Sequence, residues 1–215
     1  MTETNPIVKG LLTIHKVITR GLRTAIQKCD EYTMKQGIPA DESEGFKMYL
    51  SSLRYITHSH HLSEDEIAYP SFRDIIEAPY DQLMDDHKKI TDLLQKLEQQ
   101  LTGLSFEGIG NLRSLLAEIE NLWLPHIKIE EDNFTSERIN KVLPMEKQLK
   151  IVESMSRHGI ESSGPGPTSL PFLFYNLEGK EREDFLLHFP WIVKKVLVPI
   201  IWKGKWKAMK TFLLR

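Results

Sequence analysis

The chain has 215 residues, 40% of them hydrophobic, with a formal net charge of −2 and a sequence pI near 6.5. That allows one domain with a sizeable core plus an appendage, and the charge balance excludes the basic excess of a nucleic-acid binder. A single cysteine, Cys29, excludes an intrachain disulfide. No uncharged apolar stretch reaches the ~18 residues of a membrane span, and residues 1–5 lack a signal-type apolar run, so a cytoplasmic protein is expected.

Four helical stretches come first. The first opens on Asn5-Pro6, a cap followed by a first-turn proline, and carries the stripe Val8, Leu11, His15, Ile18, Leu22, Ala25, Cys29 up to Gly37-Ile38-Pro39. The second runs from Asp41 or Ser43 to about Tyr69, with Phe46, Leu50, Leu53 and Thr57 on its stripe. Continued at the same spacing, that stripe reaches His60 and Glu64. The third carries Leu83, His87, Ile90, Leu94, Leu97 and Leu101 and stops near Gly103. The fourth starts at about Gly108 to Asn111 and carries Leu112, Leu116, Ile119, Trp123, His126 and Glu130. It is expected to reach Val142, bent at Pro125. Period-2 strand patterning is absent. The expected fold is all-α: an up-down-up-down four-helix bundle over residues 1–143, with a helical C-terminal extension over 144–215.

Each helix thus has one polar interruption in its core stripe: His15, then His60 with Glu64, then His87, then His126 with Glu130. Burying such groups unpaired is costly. In an up-down bundle, residues equidistant from a turn lie at one height. The midpoint of His15 and His60 falls at Gly37, that of the His60/Glu64 pair and His87 lies between Pro70 and Pro79, and that of His87 and His126 lies between Gly103 and Gly108. All three are predicted turns, so six ligand-type side chains meet at one level. Imidazole and carboxylate donors without thiolate suit iron, manganese or zinc, and two carboxylates with four histidines suit a two-metal centre.

This series, with His15, His60-His61-Leu62-Ser63-Glu64, His87 and His126-Ile127-Lys128-Ile129-Glu130 each on its own helix, resembles the hemerythrin-like, or HHE cation-binding, domain family over roughly residues 5–142. The run Glu64-Asp65-Glu66-Ile67-Ala68-Tyr69-Pro70 is similar to the family's acidic stretch ending in an aromatic and a proline. The resemblance implies a non-haem di-iron centre, oxo- or hydroxo-bridged, with Glu64 and Glu130 as bridging carboxylates. It also implies a small diatomic or peroxide ligand and a role in binding or sensing oxygen, nitric oxide or iron. Oxygen-carrying hemerythrins place two histidines four apart on the third helix and an aspartate five after the fourth-helix histidine. Here Leu83 and Thr91 flank His87, and Glu130 follows His126 by four. One imidazole is therefore expected to be missing, which leaves positions open for another ligand. An enzyme consuming peroxide or nitric oxide, and a metal-free helical interaction module, are the alternatives.

His58 and His61 lie off the stripe and read as solvated or as supports for ligands, with His61 and Asp65 an alternative ligand pair at the same spacing. Glu66, Asp85, Asp86, Glu131 and Asp132 read as surface charge, of which one or two orient ligand histidines through the second ring nitrogen. Tyr80 and Trp123 read as packing. His158 and His188 lie outside the constellation. In the extension a helix is expected over Glu146–His158, a loop over Gly159–Ser169, and a short helix over Gly179–His188. The stretch Trp191–Arg215 mixes tryptophans with lysines. Docking on the bundle is the favoured reading of that stretch; peripheral membrane contact through residues 190–215 is the alternative.

Overall fold

The computed structural model of the protein describes residues 5–214. Helix α1 (Pro6–Met34) is capped by Asn5, whose side-chain oxygen accepts from the N–H groups of Ile7 and Val8. After α2 (Ala40–Ser63) the chain makes a π-helical turn over Glu64–Ala68 and a short helix α3 (Tyr69–Phe72). Then come α4 (Tyr80–Thr102), a 3₁₀ turn at Phe106–Gly108, and α5 (Ile109–Asn133), which continues through Pro125. No strand occurs among the described residues, and no helix there is long and apolar enough to cross a membrane.

The expected fourth helix ends nine residues early. The chain leaves α5 at Asn133 and restarts as α6 (Ser136–Val142), because Thr135 caps the new helix by accepting from the Arg138 N–H while the Arg138 guanidinium holds the Asn133 carbonyl. The long helices form a ring in which α1 touches α2 and α5, and α4 touches the same two. Their interior is divided. Ile18, Leu22, Leu53, Ile56, Ile90 and Trp123 belong to one apolar cluster, and Val8, Tyr69, Leu83 and Phe134 to another. On every long helix the polar interruption falls between these two clusters. The fold therefore holds one polar layer between two greasy ones.

The extension continues as α7 (Met145–Ser162), α8 (Gly166–Tyr175), α9 (Gly179–Leu186), a second π-helix (Val193–Ile201), α10 (Lys203–Trp206) and a 3₁₀ segment (Lys207–Phe212). The loop expected over Gly159–Ser169 shrinks to a tight connection at residues 163–165. Helix α7 runs on through Gly159 and is tied to α2 there, where Ser59 Oγ donates to the Gly159 carbonyl. The amphipathic stretch after Trp191 is broken into three short helical pieces, with Pro199 inside the π-helix; Arg215 lies outside the described residues.

Phe172, Phe174, Trp206, Met209 and Phe212 share the apolar cluster of the four long helices. The closest approach is at Gly45 on α2, where a Cβ would collide with the Ala208 carbonyl. Gly45→Ala should therefore destabilise the protein by about 1–3 kcal/mol. Gly10→Ala, at an open site on α1, should stabilise it by about 0.5–1 kcal/mol. Chemical denaturation checks both; equal effects at the two glycines would contradict the packing described.

Candidate metal centre

Seven side chains meet in the polar layer: His15 from α1, His60 and His61 from α2, Glu64 from the π-helical turn, His87 from α4, and His126 and Glu130 from α5. All are buried, with His126 and Glu130 wholly enclosed. Their ligand-type atoms fall into overlapping groups, each within 4.8 Å: His15, His60, Glu64 and Glu130; Glu64, His87, His126 and Glu130; and His61, His87 and His126. All six residues predicted from register are brought together.

The carboxylates lie between the groups. Glu64 Oε2 is 3.4 Å from His60 Nε2 and 3.5 Å from His87 Nε2. Glu130 Oε2 is 3.1 Å from His15 Nε2 and 3.4 Å from His126 Nε2. Each glutamate thus faces one histidine of the first group and one of the second. Outside the centre, His15 Nδ1–H donates to Glu131 Oε1 and His87 Nδ1–H to Asp65 Oδ1, both at 2.8 Å. A carboxylate only accepts, so each pair puts the ring hydrogen on Nδ1 and leaves Nε2 as an inward lone pair. Glu131 is one of the five acids read in sequence as surface charge, of which one or two are expected to orient ligand histidines. Asp65, weighed in sequence as a ligand beside His61, instead holds His87.

His61 departs from its sequence reading. It is buried, not solvated, and its ring stacks on His87 at 4.1 Å between centroids. A single-stripe reading undercounts α2 here because the helix meets two neighbours, His60 packing against His15 of α1 and His61 against His87 of α4, while α7 covers its outer side through Ser59 and Ser63. His158 is part of that cover, bonded to Ser63 Oγ and to Glu66 Oε2, each at 3.0 Å. The imidazole that α4 lacks beside His87 is thus supplied by α2.

Tyr69 is the other residue missed. Its hydroxyl donates to Glu130 Oε1 at 2.5 Å and lies 3.5 Å from His87 Nε2, with the two rings nearly parallel. On an α-helix a residue five after Glu64 leaves the stripe. The π-helical turn, in which the Tyr69 N–H bonds the Glu64 carbonyl, returns it to that face. The turn accommodates Pro70, which has no N–H to continue an α-helical ladder. A proline six residues after a stripe glutamate was the available signal. Tyr80, the tyrosine flagged in sequence, bonds the Ile76 carbonyl instead. Trp123 packs against His15, His60, His61 and His126 and ties its indole to Thr19.

Burial sets the protonation states. It pushes the Glu64 carboxyl well above the usual range, helped by the charge of Glu130. Burial also opposes ionisation of Glu130, but His15, whose Nε2 lies 3.1 Å away, and the neighbouring His126 and His60 imidazoles outweigh it and lower its pKa. His60 and His61 are held neutral by burial and by neighbouring histidines, chiefly His15 for His60 and His87 for His61, and His126 falls to about 4. For His15, burial is outweighed by Glu130 and Glu131, and its pKa rises. Buried atoms with no hydrogen-bond partner include His15 Nε2, His60 Nε2, both His61 nitrogens, both Glu64 oxygens and Glu130 Oε2. Such groups are costly when orphaned, and as lone-pair donors they fit a bound cation.

The sequence model of the hemerythrin HHE cation binding domain matches residues 7–136. No curated protein and no solved structure matches the chain. The matched span contains all seven clustered side chains and Tyr69, and the chain belongs to the hemerythrin HHE cation-binding domain family.

Proposed function

We propose that the protein is a non-haem di-iron protein that binds or senses a small molecule: oxygen, nitric oxide or iron itself. The carrying observation is that Glu64 and Glu130 each face a histidine of both groups, the placement required of carboxylates that bridge two ions. His15 and His60 would hold one ion, and His61, His87 and His126 the other. The donor set also accepts manganese or zinc; iron is the choice the family favours. Bound iron would supply redox chemistry and a binding position for a small ligand. The orphaned inward atoms weigh against a metal-free interaction module, in which they would stay unsatisfied.

The chain's own residues prepare a place for that ligand. A cavity of about 20 Å³ abuts Glu64 and Tyr69, walled by Ile7, Leu11, Phe72 and Met155. It is roughly the space of one water molecule, and its apolar walls favour a small uncharged molecule over an ion. Met155 comes from α7, so the extension closes the wall. Tyr69 presents a buried hydroxyl at the same place, held by Glu130. Burial and the charges of Glu64 and Glu130 push its pKa far up, so it would offer a bound ligand a hydrogen bond and keep its proton; a donor so placed is what favours a second reading, an enzyme consuming peroxide.

Iron-loaded protein should contain about two ions per chain. His61→Ala should lower this to about one, while His58→Ala, one turn away and only half-buried, should leave it unchanged. Emission spectroscopy measures both; equal content in wild type and His61→Ala would remove His61 from the centre. Met155→Trp should slow nitric oxide binding to the reduced protein at unchanged iron content, and unchanged stopped-flow kinetics would remove the cavity from the account.

Metal binding requires deprotonated ligands. Glu64 and His15, with raised pKa values, give up protons on binding, whereas His60, His61 and His126, with lowered pKa values, have none to give at neutral pH. Affinity should therefore rise with pH through neutrality. Indicator-dye titration of chelator-stripped protein should show Glu64→Gln releasing about one proton fewer per chain; no difference from wild type would contradict the assignment.

A further inference from the structure

The C-terminal π-helix has two apolar sides, and only one of them is used by the fold. Val198 points inward and is buried, its carbonyl accepting from the Trp206 indole N–H at 2.8 Å, while Met209 and Phe212 beyond it join the main core. In a helix with i→i+5 hydrogen bonds, residues four and five apart lie one above another. Trp191, Lys195 and Ile200 form one such row, and Ile192, Val196 and Ile201 the next. These rows face out. Leu187, Trp191, Ile192, Ile200 and Ile201 are between 53% and 73% exposed, in a segment whose other face is anchored.

The charge on this segment is one-sided. From residue 187 to residue 214 the chain carries six lysines and no aspartate or glutamate, although the whole chain is net negative. None of Lys194, Lys195, Lys203, Lys205, Lys207 and Lys210 forms an ion pair among the described residues, whereas seven of the twelve lysines in residues 1–150 do. Unpaired lysines around an exposed row of isoleucine, leucine and tryptophan complement a surface that is anionic and has an apolar layer just beneath. Tryptophan at such a boundary has its indole N–H in the headgroup region and its ring in the hydrocarbon.

We infer that this face docks on an anionic phospholipid bilayer, with the two apolar rows entering the headgroup boundary and the lysines contacting the lipid phosphates. It lies in the extension, beyond the matched family domain, and would hold the metal-binding bundle against a membrane without any span. The inference does not depend on the metal reading.

The test is flotation of the full chain with vesicles of phosphatidylcholine alone and of phosphatidylcholine mixed with phosphatidylglycerol. Binding is expected to the mixed vesicles only, weakening as salt is raised, with a blue shift of tryptophan emission. Ile192→Glu combined with Ile201→Glu should cut binding about tenfold or more, and Lys195→Glu with Lys203→Glu should do the same at exposed positions that bear no packing. Circular dichroism should be unchanged in both. Absence of binding to either vesicle, equal binding to both, or full binding by both variants would overturn the inference. So would sedimentation showing a dimer that the isoleucine variant dissociates, with no vesicle binding, since the face would then be a contact between two copies.

Discussion

Two glutamates occupy positions where a helical bundle ordinarily places leucine. Glu64 and Glu130 are enclosed, face each other's histidines, and are shut off from bulk solvent. Two like charges at that depth repel strongly, and the surrounding structure answers that problem. Five imidazoles line the layer, Tyr69 donates to one carboxylate, and Trp123 seals one side. Glu131 and Asp65 sit behind His15 and His87 and turn their lone pairs inward. Apolar clusters above and below exclude solvent. A cation between the two groups would be the remaining element of that answer, and it explains why so many lone pairs converge.

The extension completes the bundle. Helix α7 covers the outer side of α2 at the height of the centre, with His158 tied to Ser63 and Glu66, and Met155 forms part of the wall beside Glu64. Its later segments fill the other end of the bundle with Phe172, Trp206 and Phe212. The same piece of chain therefore tightens the site, extends the core and presents a basic apolar face outward. Coupling between that face and the centre has a short physical route, since α7 and the C-terminal segments both pack on α2.

Much of this was legible from sequence, for definable reasons. The bundle followed from helical periodicity, and the six ligand-type residues from the coincidence of polar interruptions with predicted turns. What escaped depended on departures from a regular, half-exposed helix. His61 sits off the stripe, on the side of α2 that turns toward α4, where its ring stacks on His87 and packs against Trp123. Tyr69 returns to Glu64's face through a π-helical turn, which accommodates Pro70. The early end of α5 turned on one capping threonine, and at Gly159 α7 is tied to α2 by a hydrogen bond from Ser59 that sequence does not show. The two faces of the C-terminal segment could not be separated, because a basic aromatic stretch has the same composition whether it docks on protein or on lipid.

The most direct test of the account is anomalous diffraction at the iron edge from crystals of the iron-loaded protein. Two peaks roughly 3.5–4 Å apart are predicted, one beside His15 and His60 and one beside His61, His87 and His126, with Glu64 and Glu130 spanning them. A single peak, or density outside the ring of these seven side chains, would contradict the two-ion centre on which the proposed function stands.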